Sequence, residues 1–328
     1  MTSRLALLTG ATGFLGGHVA RALLEEGWRV RALARSDPAG SPLLADLPLE
    51  IIRGDLSQRT DLAAAAAGCE AIVHVAGLVK ARTLEDYREV NRRGTERLVE
   101  AAGRTAPGAM WVLVSSQAAA GPARSGRPVT PSDPARPVSW YGASKLEGEQ
   151  AVQRGWKGPW IILRPGVIYG PGDQGLLTLF RMARAGWIPL PAASSRIQIG
   201  AAEQISLAIA RAAGRRDLSG RTAFLCDPLP VSVGRLGELV ACLPPRRARL
   251  VPVPALLVQA AGLAETLREA VTRRSRPFNA DKARELLAGE WLCESGLRQE
   301  LGLPAPVPLE SGLRAAWDWY RKQGWLIL

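Results

Sequence analysis

"TGATGFLGGHVARALLEEG", residues 9–27, closes an apolar run and opens a helical pattern, and its reading decides the fold. Gly10, Gly13 and Gly16 stand three apart between the run at 4–10 and a helix that Gly27 ends. Each glycine has a physical job: a tight turn, close approach of backbone to a pyrophosphate, and close packing of helix on strand. Thr12 sits at the tip of the turn, and Phe14 and Leu15 open the helix, whose first N–H groups and partial positive charge suit phosphate. A glycine pattern alone is weak, because turns are rich in glycine. Between a strand and a helix at the head of an alternating pattern, it reads as a dinucleotide-binding turn.

The alternation continues outward. Strand-like runs fall at 4–10, 29–34, 49–55, 71–77, 110–116 and 159–165, with helical stretches near 14–26, 59–67, 84–104 and 141–154. Strands alternating with helices predict an α/β fold with a doubly wound parallel sheet of Rossmann type, because parallel neighbours need a crossover and a helix is the usual one. This dinucleotide-binding domain is expected over 1–166. The rhythm then breaks at a loop, 169–173. An amphipathic helix follows at 176–187, then a strand at 195–200 and a helix returning to the sheet, the returning segment ending near 214. Residues 167–194 and 215–328 are expected to form a smaller, mostly helical substrate domain.

The end of the second strand should choose the cofactor. An NAD enzyme typically presents a carboxylate there to the ribose hydroxyl, whereas a cation suits the 2′-phosphate of NADP. The strand ends in Ala34, Arg35 and Ser36, which favours NADP and leaves NAD open, since Arg35 could be a solvated arginine and Asp37 could turn inward.

The 328 residues are 47% apolar and 22% charged, an ordinary globular composition. The formal charge is +12, but only five of 42 basic residues are lysine, and they are scattered without interleaved aromatics. No nucleic-acid partner is expected from that pattern. The four cysteines are far apart in sequence and the two histidines isolated, which argues against a metal site or a disulfide framework and fits a cytoplasmic protein. The first strand is expected to begin within four residues, so no signal peptide is expected. No run reaches the ~20 apolar residues of a membrane span. The longest candidate, 250–267, could touch a membrane or line an apolar pocket, and is expected to be a buried helix of the smaller domain.

In "SWYGASKLEGE", residues 139–149, Tyr141 and Lys145 are one helical turn apart. For a tyrosine to act as a base near neutral pH, its pKa must fall by roughly three units, about 4 kcal/mol. A surface i,i+4 contact supplies only about 0.2–0.5 kcal/mol. A water-poor cleft with a second positive charge would be needed.

Together with "RGDL" (53–56), "HVAG" (74–77), "VNRRGTERLVEAA" (90–102), "VSS" (114–116) and "LRPGVIYGPGD" (163–173), these motifs resemble the extended short-chain dehydrogenase/reductase, or NAD(P)-dependent epimerase/dehydratase, family. They are nearest to its dihydroflavonol reductase and 3β-hydroxysteroid dehydrogenase branch. The resemblance covers about half the chain. It implies catalysis by Ser116, Tyr141 and Lys145, with Asn91 near the active site and Ser115 as the fallback serine. It implies adenine contacts from Asp55 and Leu56, and nicotinamide-side contacts from Val75, Ala76, Gly77, Pro165, Gly166, Val167 and Ile168. A homodimer through the helices near 84–104 and 141–154 is implied as well.

Two departures stand out. No asparagine follows the sixth strand, where sugar-nucleotide epimerases often carry one. "GAAEQIS" (200–206) replaces the family's usual His-Val-x-Asp stretch, so a familiar buried polar cluster is missing. The expected function is an NADP(H)-dependent alcohol dehydrogenase or carbonyl reductase acting on a small, moderately apolar molecule. A nucleotide-sugar epimerase or dehydratase is the alternative, and a cofactor-holding structural or regulatory protein without turnover a third. His74 is expected to be satisfied by backbone, and the aromatic residues Trp317, Trp319, Tyr320 and Trp325 to pack the small domain.

Overall fold

The glycine turn joins strand β1 (Leu5–Thr9) to helix α1 (Phe14–Glu25) in a computed structural model that describes residues 4–36, 40–276 and 278–326. Next come β2 (Arg29–Ala34), β3 (Leu49–Arg53), α2 (Leu62–Ala66), β4 (Ala71–His74) and α3 (Leu84–Arg88). A π-helical turn over Glu89–Gly94 leads into α4 (Thr95–Thr105), then β5 (Met110–Val114), α5 (Gln117–Ala120), α6 (Trp140–Gly155), β6 (Trp160–Pro165) and β7 (Val167–Tyr169). The chain continues through α7 (Gln174–Arg184), β8 (Trp187–Pro191), β9 (Arg196–Ile197), β10 (Ile199–Ala201), α8 (Ala202–Ala212), β11 (Arg221–Leu225), β12 (Val231–Ser232) and α9 (Val233–Ala241). It ends with β13 (Arg249–Val253), α10 (Ala255–Thr272), α11 (Ala280–Leu286), α12 (Leu297–Glu300) and α13 (Leu309–Lys322).

Seven strands form one parallel sheet in the order β3-β2-β1-β4-β5-β6-β11, a Rossmann-type α/β fold. The order reverses between β1 and β4, and in open α/β sheets ligands bind at the carboxyl ends of the strands at such a switch point. Both faces are covered, so the central strands β4 and β5 are buried at every position, as their unbroken apolar runs require. The period of two is clearest in β1. Ala6 and Leu8 pack with α1 and α8 on one face, and Leu7 packs with α2, α4 and Trp156 on the other.

A second core is built by Phe180, Trp317, Tyr320, Ile188 and Val240, from α7, β8, α9 and α13. Trp317 and Tyr320 are buried there against Phe180, and Trp325 stacks beside Tyr320, so these aromatics pack this core.

Three details differ from the sequence reading. The strand expected at 195–200 is split between β9 and β10, and β10 pairs with β7 rather than joining the main sheet. The seventh strand of that sheet is β11, drawn from the stretch expected in the smaller domain, although α8 does pack against α1 as a returning helix should. The segment expected to be a buried helix is α10, and it is largely exposed. Only Val258, Gly262 and Glu269 are buried, because its inward face carries the polar residues and its apolar face points out. Asp37 lies outside the described residues.

Candidate active site

The turn after β1 is built as its glycines require. Gly10 has a φ of 77°, and a Cβ there would lie 2.7 Å from the amide nitrogen of Ala76; a Cβ on Gly16 would lie 1.9 Å from the carbonyl oxygen of Gly10. Side chains are therefore excluded, and the backbone of the first turn meets the loop after β4. That seam is held by Val75 N donating to Thr9 O at 3.3 Å and by Ala76 N donating to Thr9 Oγ1 at 3.2 Å. Thr12 and Gly13 are exposed at the tip, Phe14 and Leu15 are part-buried, and no side chain caps the amino end of α1. A glycine cradle opening on an uncapped helix start fits a dinucleotide pyrophosphate.

At the end of β2, Arg35 is exposed and lies close enough to Asp55 to act on it. The Asp55 carboxylate is hydrogen-bonded by the Ser57 side chain and by Ser57 N at 2.8 Å, and these bonds, aided by Arg35, hold its pKa below the usual range. Leu56 is buried and fills the space that Gly94 leaves beside it.

The carboxyl ends of β4 and β5 then meet the start of α6. Ser139 caps α6, with its Oγ accepting from Gly142 N at 3.1 Å, and Tyr141 follows in the first turn. Tyr141 shares a hydrogen bond with Ser116. Ser116 Oγ also accepts from Ala118 N at 3.1 Å. Lys145, one turn further on, is buried and donates from Nζ to Val114 O at 2.7 Å. Asn91 sits in the π-helical turn and clamps the loop after Gly77, accepting from Leu78 N at 2.7 Å and donating to Leu78 O at 3.0 Å. Its amide also donates to Ser144 Oγ at 2.8 Å. A Cβ on Gly77 would lie 3.2 Å from Asn91 Oδ1 and 3.4 Å from Lys145 Nζ, so Gly77, Asn91 and Lys145 converge on one point. Close approach of α6 is allowed by Gly148, where a Cβ would lie 2.5 Å from Asn91 O.

The electrostatics run opposite to the lowered tyrosine that base catalysis near neutral pH would require. Burial pushes the Tyr141 phenol up to about 12, outweighing the hydrogen bond from Ser116, and burial brings Lys145 down to about 8. Near neutral pH the phenol is protonated and most of the lysine is charged. That is the state of a proton donor.

Pro165 is buried at the end of β6, Gly166 N bonds Leu225 O, Val167 is half exposed and Ile168 part-buried, which brings this segment to the same end of the sheet. Ser115 is not part of the cluster. Its hydroxyl donates to Glu149, which is in turn paired with Arg164 through bonds of 2.9 and 2.7 Å inside the protein. His74 is held by side chains rather than by backbone: Thr9 Oγ1 at 2.6 Å from Nδ1 and Thr95 Oγ1 at 3.0 Å from Nε2. Thr95 passes the chain on to Asn91 O at 2.8 Å. Burial drives His74 down to about 3, so it is neutral and positions the loop.

Sequence reading missed the groups that fasten Tyr141 from the far half of the chain. Asp281 accepts from Trp140 N at 2.9 and 3.0 Å, and Ser139 Oγ donates to Glu285 at 2.8 Å, so α11 grips the start of α6. More than 140 residues separate these partners, and no local pattern announces them. The stretch 200–206 is also better furnished than its departure from the family pattern suggests. Gln204 donates to Ala305 O at 2.6 Å and accepts from Arg298 at 2.7 Å, and Arg298 pairs with Asp227 at 3.2 Å. Cys226 and Cys293 are free thiols whose sulfurs lie 3.1 Å apart in a small buried cluster. A separate hollow lined by Arg4, Trp28, Glu70 and Met110 opens at the amino ends of the strands, away from all these groups. Among the described residues no cluster of metal-ligating side chains occurs, and no helix is long and apolar enough to cross a membrane.

A model of the NAD dependent epimerase/dehydratase family matches residues 6–186. The chain is 38% identical over 327 residues to a ceramide reductase of Caulobacter vibrioides (strain NA1000 / CB15N), covering 97% of this chain and 95% of the relative. It is 31% identical over 325 residues, 94% of each chain, to the 4-hydroxy-2-methyl-3-oxo-4-farnesyl-3,4-dihydroquinoline-1-oxide ketoreductase of Stigmatella aurantiaca. Hydroxysteroid dehydrogenases match as well. Among solved structures, MoeE5 in complex with UDP-glucuronic acid and NAD superposes with a TM-score of 0.77 at 23% identity, over 98% of this chain and 99% of that one, and shares the fold.

Proposed function

The chain belongs to the NAD dependent epimerase/dehydratase family, whose members are enzymes, and on that premise we propose that it is an NADP(H)-dependent reductase of a ketone carried on a long-chain, lipid-like molecule. The observation that carries this reading is the geometry of the cluster: the Tyr141 phenol is hydrogen-bonded with Ser116, and Lys145, one turn further along the same helix, is fastened to Val114 O at 2.7 Å. Reduction needs a donor of this kind, because the carbonyl oxygen gains negative charge as its carbon is reduced.

The cofactor, when bound, supplies the hydride to the carbonyl carbon. Gly10 to Gly16 would hold its pyrophosphate, Asp55 and Leu56 its adenine, and Arg35 a 2′-phosphate. Tyr141 transfers its proton to the carbonyl oxygen. Ser116, held by Ala118 N, turns its one hydroxyl proton from the Tyr141 oxygen to the carbonyl oxygen as substrate binds. Lys145 lowers the cost of the phenolate left behind by its charge, which the dry surroundings strengthen. Asn91 keeps the loop at Gly77 closed against Lys145.

The lipid-like substrate follows from the ceramide reductase and the farnesyl-bearing ketoreductase among the relatives, and from exposed Val79, Trp140 and Val167 around the site. The second reading, a nucleotide-sugar epimerase or dehydratase, draws on the ligands named for MoeE5. The test is to mix the purified protein with NADPH and a 3-oxo ceramide and follow loss of the reduced nicotinamide absorbance together with the alcohol product. Net oxidation of NADPH supports the reductase; conversion of a UDP-sugar without net change in that absorbance would replace it. The pairing of two copies through α4 and α6 is part of the same reading, and sedimentation velocity checks it.

A further inference from the structure

Helix α10 is built inside out. Leu256, Leu263, Leu267 and Val271 share one face by the helical period, with Ala260 and Ala264 between them and Leu257 beside them. All are exposed: Leu256 at 73%, Leu267 at 62% and Val271 at 84%. The opposite face holds the acids. Glu269 is 3% exposed and accepts from Arg276 N and Asn279 Nδ2, while Glu265 is part-buried between Arg268 and Arg276. An apolar face of this length on a soluble surface marks a site of interaction.

The charges around the helix identify the partner. Arg246, Arg247 and Arg249 precede it and Arg273 and Arg274 follow it; all five are exposed, and among the described residues none pairs with a carboxylate. No acidic side chain lies on the outer face of α10. Apolar side chains bounded by unneutralised arginines match the headgroup and acyl boundary of a bilayer containing anionic lipid, where each basic residue adds attraction. Eighteen residues, of which the inner face carries Glu265, Thr266 and Glu269, do not span a bilayer.

We propose that α10 is an interfacial docking helix, lying flat on an anionic membrane with its Leu256 to Val271 face immersed. The helix adjoins the elements that carry the candidate active site. α10 packs on α11 through Gly262, where a Cβ would lie 2.7 Å from Ala283 Cβ, and α11 holds Ser139 and Trp140 through Glu285 and Asp281. At its other end, Arg82 of the loop after Gly77 donates to Arg273 O at 3.1 Å. Docking would therefore bring α11, the start of α6 and the loop after Gly77 close to the membrane surface. Binding to a bilayer requires no turnover, so this inference stands or falls apart from the reductase reading.

The experiment is co-sedimentation of the full chain with vesicles of phosphatidylcholine, with and without phosphatidylglycerol, alongside sedimentation velocity without lipid. The chain should pellet with the anionic vesicles, weakly with pure phosphatidylcholine, and less as salt rises. The double variant L263Q/L267Q should lose about tenfold or more in vesicle affinity, and R273Q/R274Q about tenfold together with part of the salt dependence. These side chains are exposed, so an unchanged thermal melt shows that each variant is folded, and L256Q/V271Q serves as an independent pair. No pelleting with either vesicle would overturn the proposal. So would unaltered pelleting of both leucine variants, or a dimer that L263Q/L267Q dissociates, because the face would then belong to a second copy.

Discussion

Lys145 donates from Nζ to the carbonyl of Val114 at 2.7 Å, which fastens the helix that carries Tyr141 to the strand that ends at Ser116. The bond holds an ammonium in a dry place, and burial lowers its pKa from 10.5 to about 8. The charge helps only while the proton is bound. The rate of ketone reduction should therefore fall as pH rises through about 8, in a pH profile of kcat/KM. A flat profile across that region would remove Lys145 from the reaction.

The same shift has a cost in stability. Below pH 8 the lysine is protonated in both folded and unfolded chains, and the cost, roughly 3 kcal/mol, is present in full; between pH 8 and 10.5 it is relieved as the folded chain gives up its proton first. Lys145→Met should melt no lower than the parent at pH 7 while losing about 100-fold or more in reduction. Thermal melts at pH 7 and pH 10 measure the first, and NADPH oxidation the second.

Arg35 is the cation expected to meet a 2′-phosphate. Arg35→Ala should raise the Kd for NADPH by about tenfold and leave that for NADH within about twofold, as measured by quenching of tryptophan fluorescence. Equal effects on the two cofactors would leave the choice between them to other residues.

Glu149 and Arg164 form an ion pair inside the protein, with Ser115 as its third member. Removing one partner strands a buried charge. Arg164→Met should cost about 3–5 kcal/mol in urea unfolding, and Arg164→Met combined with Glu149→Leu should recover most of it. Failure of the double variant to recover would mean that the pair is needed for packing rather than for neutrality.

His74 is neutral between Thr9 and Thr95, with its pKa driven down to about 3. In the unfolded chain it would take a proton below about 6.5, so stability should be lost as pH falls from 6.5 toward 3, at up to about 1.4 kcal/mol per pH unit. His74→Gln should flatten this acid slope in melts between pH 4 and 7. An unchanged slope would assign the acid sensitivity to other groups.

The Rossmann sheet was legible because a glycine turn and alternating strand and helix patterns carry it, and Ser116, Tyr141, Lys145 and Asn91 were singled out by the resemblance of an ordered set of motifs to a known family. The direction of the tyrosine shift was not legible, since it depends on how thoroughly tertiary packing dries the phenol. Neither was the grip of Asp281 and Glu285 on the start of α6, which joins residues more than 140 apart. Composition also misled over α10. Its leucines and alanines suit a core helix, and only the buried Glu269 and Gly262 show that the polar side faces inward. The resemblance ranked Ser116 above Ser115 without a physical reason from the residues themselves. Buried Glu149 separates them by drawing Ser115 away.

The central claim is that Tyr141 protonates a ketone as it is reduced. It is tested most directly by a single-turnover reaction with NADPH deuterated at the transferable position and a 3-oxo ceramide, comparing the parent with Tyr141→Phe. The account predicts one deuterium on the carbinol carbon of the product, and a loss of about 100-fold or more in rate for Tyr141→Phe with NADPH affinity retained. Reduction by Tyr141→Phe at the parental rate, or product free of deuterium, would contradict it.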